Sequence, residues 1–178
     1  MKRLRINMID LAEAFELGGQ DFAYYLDRET GEVLMVGSEA QHLLNQIYEA
    51  AGAAGPGAPV DLDGALERRG VGNWLKETVK TAHRIDREFG SRYLQVPESD
   101  SFAGYADMKA FIESVPDRPF ADRLWTAIQG KGAFRRFEDT LAAQPALEQR
   151  WHTFKAEQMR ARMAEWLAAQ EIEAEGVA

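Results

Sequence analysis

With 178 residues, 46% of them hydrophobic and 28% charged, the chain has the apolar content to build a compact core, and disorder is excluded as its main state. The excess of 29 acidic over 21 basic residues gives a net charge of −8, which disfavours sequence-independent binding to DNA or to an anionic membrane; the absence of cysteine removes disulfides, thiol nucleophiles and cysteine-ligated metals. No long apolar run follows the basic start Met1-Lys2-Arg3-Leu4-Arg5, so a cytoplasmic, non-membrane single domain over residues 1–178 is the expectation.

Asn7 is placed to cap a short helix carrying Ile9, Leu11, Ala12 and Phe15, which Gly18-Gly19 closes. Residues 21–27 and 32–36 are rich in aromatic and branched side chains and flank the turn Arg28-Glu29-Thr30-Gly31, the pattern of a β-hairpin. Alternation sends Phe22, Tyr24 and Leu26 one way and Ala23 and Tyr25 the other. Tyr25 is then either a ring open to a ligand or an aromatic covered by a neighbouring helix. Ser38 and Gln41 have the spacing of a capping box, opening a helix with Leu43, Leu44, Ile47 and Ala51. The Gly/Pro-rich run 52–59 reads as a linker. A second amphipathic helix follows at 73–89, with Trp74 or Leu75, Thr78 or Val79, Ala82, and Ile85 or Phe89 inward. Together these make residues 37–92 a helical insertion.

Tyr93-Leu94-Gln95-Val96-Pro97 predicts a third strand, at a sheet edge because proline cannot donate to a ladder. Tyr105, Met108, Phe111, Ile112 and Val115 form an apolar stripe at helical spacing in a segment starting near Ser101. Asp117 with Pro119 marks the next helix start, and Phe120, Leu124 and Ile128 share its face. Pro145 opens a last helix to about Gln170, and residues 171–178 are expected to fray. The fold class is α+β: a small antiparallel sheet, hairpin plus third strand, packed against a mostly helical C-terminal half.

Between the last two apolar helical patterns stands Gly130-Lys131-Gly132-Ala133-Phe134-Arg135-Arg136-Phe137. The glycines end one helix and start another, and Phe134, Phe137 and Leu141 recur at i, i+3 and i+7, so both phenylalanines are expected in the core. Two arginines in a first turn face the positive end of the helix dipole, which asks for compensation. One reading is an anion site in which Lys131, Arg135 and Arg136 converge on a phosphate or carboxylate, with Tyr24 or Tyr25 as a stacking surface for a nucleic acid. The other, commoner in proteins, is internal pairing: Arg135 with Glu138 or Asp139, Arg136 with a carboxylate of another element.

The local patterns taken together resemble a known group. The hairpin block 21–33, Tyr-x-x-Val-Pro at 93–97, Tyr-x-x-Met-x-x-Phe-Ile at 105–112, the basic turn 130–137, Trp151 with Phe154, and Glu165-Trp166-Leu167 resemble a bacterial uncharacterised protein family, UPF0158. The resemblance implies a shared fold unit with an enlarged central segment at 37–92, and it carries no catalytic residues over.

His42, His83 and His152 lie on separate predicted helices without ligand-type partners three or four residues away, so no metal site is expected. Phosphate-loop, nucleophile-elbow and zinc-protease motifs are missing, and no catalytic residue or cofactor is assigned. The expected function is a non-catalytic interaction domain, open to a regulatory role, that binds a protein or a second copy of itself. The alternative is an anion or nucleic-acid module built on the basic turn.

Overall fold

The computed structural model describes residues 1–98 and 100–177. The elements run β1 Lys2–Asn7, α1 Met8–Leu17, β2 Phe22–Asp27, β3 Val33–Gly37, α2 Ser38–Ala50, α3 Leu62–Arg68, α4 Asn73–Arg87, β4 Tyr93–Gln95, α5 Ser101–Glu113, α6 Arg118–Ala127, α7 Ala133–Leu141, α8 Pro145–Ala169 and β5 Ile172–Val177. The fold is α+β, with a small antiparallel sheet and a helical C-terminal half. The chain divides into two compact units, Met1–Ser99 with Leu167–Ala178, and Asp100–Trp166.

In the first unit the hairpin forms as its pattern demands. Tyr25 pairs with Leu34 and Tyr24 with Met35, and β4 adds antiparallel to the other edge of β2, giving the order β3-β2-β4. Gly31 turns the hairpin at φ 79°, and glycine is needed there twice over: a Cβ would stand 2.2 Å from the Arg5 carbonyl oxygen of β1. Both faces of the sheet are covered. Tyr25 and Leu34 join the core made by α2, α3 and α4, where Leu44, Ile47, Val79 and Ile85 are buried. On the opposite face Tyr24 and Leu26 are buried too, and α1 lies against β2 and β3.

Three local expectations change. Most of the tail expected to fray is β5, which pairs in parallel with β1, Ile172 opposite Lys2, and Leu4, Ile6 and Ile172 are all buried; Ala178 lies outside the described residues. Arg3 and Glu173 close this ribbon on its outer face with an ion pair at 3.0 Å. Ser38 does not cap α2: β3 runs straight into the helix, Gly37 is the cap residue without a side-chain bond, and the Ser38 N–H goes to the Asp21 carbonyl. The stretch after the Gly/Pro run holds α3, capped by Asp61 and burying Ala65 and Leu66. Asn7, by contrast, caps α1 as expected, accepting from the N–H groups of Ile9 and Asp10.

The second unit is the apolar stripe of α5 packed with α6, α7 and α8. Met108, Phe111, Ile112, Phe120, Leu124 and Phe137 are all buried. Asp100 caps α5 and Asp117 caps α6. Phe134 departs from expectation, at 45% exposure. Ala133 takes the inward position one residue earlier, and the Phe134 ring lies over Gly104 of α5, where a Cβ would be 2.9 Å from it.

Candidate functional site

The basic turn comes first. Gly130 and Gly132 sit at φ 73° and 75°, and this reversal folds the start of α7 back onto the end of α6. Arg136 Nε donates to the Ala127 carbonyl at 3.0 Å, while its terminal nitrogens donate to the carbonyls of Lys131 and Gln129. The last carbonyls of a helix lack intrahelical partners and carry the negative end of its dipole. A guanidinium satisfies both needs, so the carboxylate partner expected for Arg136 is replaced by main-chain carbonyls. Arg135 is 90% exposed and stands 3.8 Å from Asp139, one turn along the same helix. Lys131 is exposed. Tyr25 belongs to the first unit and these three residues to the second.

This geometry makes a measurable distinction between the arginines. Arg136→Ala is expected to cost roughly 1 kcal/mol, a charged hydrogen-bond set discounted for its exposure. Arg136→Lys should restore little, because an ammonium lacks the planar fork, and Arg135→Ala should stay within about 0.5 kcal/mol. Urea midpoints of the three variants decide it, and equal losses for Arg135→Ala and Arg136→Ala would contradict the capping role.

Tyr25 leads to a second place. A cleft of about 270 Å³ opens between the start of β2 and α2. It is lined by Phe22, Ala23 and Tyr25 of β2 and by Ser38, Gln41, His42 and Asn45 on one face of α2. Phe22 is 42% exposed. Tyr25 is half-buried and meets the Phe89 ring edge to face at 6.4 Å between centroids, so it is both covered on one side and part of an open cleft. The polar lining is pre-ordered: Gln41 donates to the Asn45 amide oxygen at 3.2 Å, and Gln46 pairs with His42 Nε2 at 3.0 Å.

Behind that lining lies a cluster of titratable groups. The Gln41 amide also favours the charged form of Asp86. The Tyr48 hydroxyl stands 3.3 Å from an Asp86 carboxylate oxygen, 2.7 Å from His83 Nδ1, and accepts the Gly57 N–H at 2.9 Å. Burial pushes the Tyr48 hydroxyl up to about 12, with Asp86 adding to the effect. Burial, and then Arg87, hold His83 below its ordinary value. Burial raises the Asp86 carboxyl against the opposing effects of Gln41 and Tyr48. His83 and Asp86 are thus drawn toward each other in the acidity scale, with a hydroxyl between them.

A family model described as uncharacterised protein family (UPF0158) matches residues 75–176. The chain belongs to UPF0158. The matched span takes in nearly all of α4, with His83 and Asp86, and runs through the basic turn to β5. The hairpin and α2, which form the cleft of this UPF0158 protein, lie before it. No curated protein and no solved structure gives a match to the chain. Among the described residues, no helix is long and apolar enough to cross a membrane.

The sequence held signals for the cleft that apolar periodicity passes over. Ser38, Gln41, His42 and Asn45 recur at i, i+3, i+4 and i+7, a polar stripe as regular as the apolar one beside it. His83 and Asp86 are three apart on α4 and so share a face. Tyr48 carried no such mark, since its partners come from another helix and from the 52–59 run.

Proposed function

We propose that this protein is a non-catalytic interaction domain whose hairpin-α2 cleft receives a segment of a protein partner. The observation that carries the reading is the lining of the cleft, which brings Phe22 and Tyr25 of β2 together with a row of serine, amide and imidazole groups on α2. Such groups hold a polypeptide by ring contact and by hydrogen bonds to its backbone, and aromatic residues are the usual anchors of protein interfaces. Gln41 and Asn45 are already held by one another, which lowers the entropy lost on binding.

The alternative, an anion or nucleic-acid module on the turn 130–137, has less to support it. Arg136 spends its donors on the last carbonyl of α6 and on two carbonyls of the turn after it, which leaves Lys131 and Arg135 as exposed cations without a cradle. Exposed cations of this kind bind weakly and lose what they gain to salt.

Purified candidate partners, first identified by co-purification, decide between the two places. Asn45→Trp should fill the cleft and weaken binding by about tenfold or more in calorimetry, while the Lys131→Ala/Arg135→Ala double variant should bind as wild type. The reverse pattern would move the site to the turn. Undiminished binding by both variants would reject the cleft.

A further inference from the structure

The Tyr48 hydroxyl has one hydrogen to give and three neighbours within reach. Gly57 can only donate to it, so the hydrogen goes to His83 or to Asp86. A neutral imidazole with its own hydrogen on Nε2 accepts at Nδ1, and Tyr48 then points at His83. A protonated imidazole can only donate, so Tyr48 must accept from it and turn its hydrogen to Asp86. The same three groups are satisfied in both states, with the hydroxyl reversed between them.

This matters because Tyr48 is a junction. On one side it holds the Gly/Pro-rich run through the Gly57 N–H, at a glycine with φ 75° whose Cβ would stand 2.7 Å from the Asp86 carbonyl oxygen. On the other side the Gln41 amide favours the charged form of Asp86, and Gln41 bonds Asn45 in the cleft lining. A polar row therefore runs from Gly57 through Tyr48 and Asp86 to the hydrogen-bonded Gln41–Asn45 pair. We propose that Tyr48 is a proton-operated latch, in which the group that receives its hydroxyl hydrogen, His83 or Asp86, sets both the hold on residues 52–59 and the presentation of Gln41 and Asn45 to the cleft.

The proposal rests on the cleft reading for its consequence, and on the row itself for its working. Turning the hydroxyl to Asp86 gives that carboxylate another donor, which competes with Gln41. It also makes the Tyr48 oxygen accept from both His83 and Gly57, which weakens the bond to Gly57. The charged and titratable groups around the junction are His83, Asp86 and Arg87 of α4 and Tyr25 of β2. Burial and Arg87 oppose protonation of His83 and Asp86 favours it. The latch therefore turns on the acid side of an ordinary histidine.

The test needs no partner, so its failure is distinct from failure of the cleft. Nuclear magnetic resonance of the full chain is followed from about pH 7.5 down to about pH 4.5, across the histidine range. The expected result is that the Gly57 amide and the Gln41 side-chain amide shift with the midpoint of the His83 ring, and that Gly57 exchange protection falls several-fold below it. In Tyr48→Phe the His83 ring should still titrate while Gly57 no longer follows. His83→Gln, which keeps a neutral polar partner for Tyr48, should leave Gly57 flat, and it decides alone if Tyr48→Phe does not fold. A Gly57 resonance that ignores the His83 midpoint in the wild type, or follows the same curve in His83→Gln, would overturn the latch.

Discussion

Truncating Phe137 to alanine is expected to destabilise the protein by about 3–5 kcal/mol, the cost of lost transfer energy plus a cavity that close-packed neighbours cannot fill. Phe137 is fully buried. Its ring meets Trp151 at 4.9 Å and Phe111 at 6.3 Å between centroids, both edge to face. Phe111 in turn contacts Trp151 and Phe154, so one truncation loosens an aromatic cluster drawn from α5, α7 and α8. Phe134→Ala should cost under about 1 kcal/mol, because the ring is already half in solvent and truncation removes little more than its cover over Gly104. Guanidinium midpoints for Phe137→Ala and Phe134→Ala measure the difference. Equal midpoints would mean that the α7 face is wrongly assigned.

The two phenylalanines also show where reading the sequence succeeds. Spacing placed the α5 and α6 stripes correctly because Met108, Phe111, Ile112, Phe120 and Leu124 bury as their periods require. In α7 the sequence offered Phe134 and Phe137 equally at i and i+3. The choice fell to packing: Ala133 is small enough for the tight entry after Gly132, and Phe134 is left to cover Gly104. Long-range pairing was beyond local signals. β1 and β5 stand about 170 residues apart, and each is a short strand whose ladder is completed only by the other. The hairpin, closed by a local turn, was legible for the opposite reason.

For the sites the balance reverses. Composition and turn chemistry marked the basic turn, and its glycines bend as expected. What the arginines face was not written locally, since the partner of Arg136 is the main chain, which every sequence has and no pattern displays. Tyr25 was visible as an aromatic on a strand face. The cleft beside it depends on α2 starting directly from β3, a junction that the Ser38-Gln41 spacing of a capping box concealed.

The second large effect is expected at Asp27, the last residue of β2. Its carboxylate is almost fully buried, holds Arg92 through both oxygens at 2.7 to 3.1 Å, and accepts the N–H groups of Glu29 and Thr30 in the hairpin turn. Arg92 stands just before β4, so one side chain ties the hairpin turn to the third strand. Burial alone would raise the Asp27 carboxyl, but the Arg92 bond, the two backbone N–H groups and the guanidinium charge outweigh it and hold it below the usual carboxylate range. Asp27→Ala is expected to cost about 3 kcal/mol, the low end for removing one partner of a buried pair, since Arg92 keeps contacts with Glu29 and Glu88. Arg92→Ala should move stability the same way by stranding the carboxylate. The sign with pH follows from the depressed value. In the unfolded chain Asp27 takes up its proton at about pH 3.9, and in the folded chain only below that. Its contribution is therefore complete above about pH 4 and is lost as pH falls through the folded value. Thermal unfolding of wild type and Asp27→Asn between about pH 7 and about pH 2.5 separates this residue from the general acid response. The gap between the two proteins should be widest at neutral pH and close toward the acid end; a gap that stays constant would show that Asp27 acts through its shape and its turn hydrogen bonds rather than through its charge.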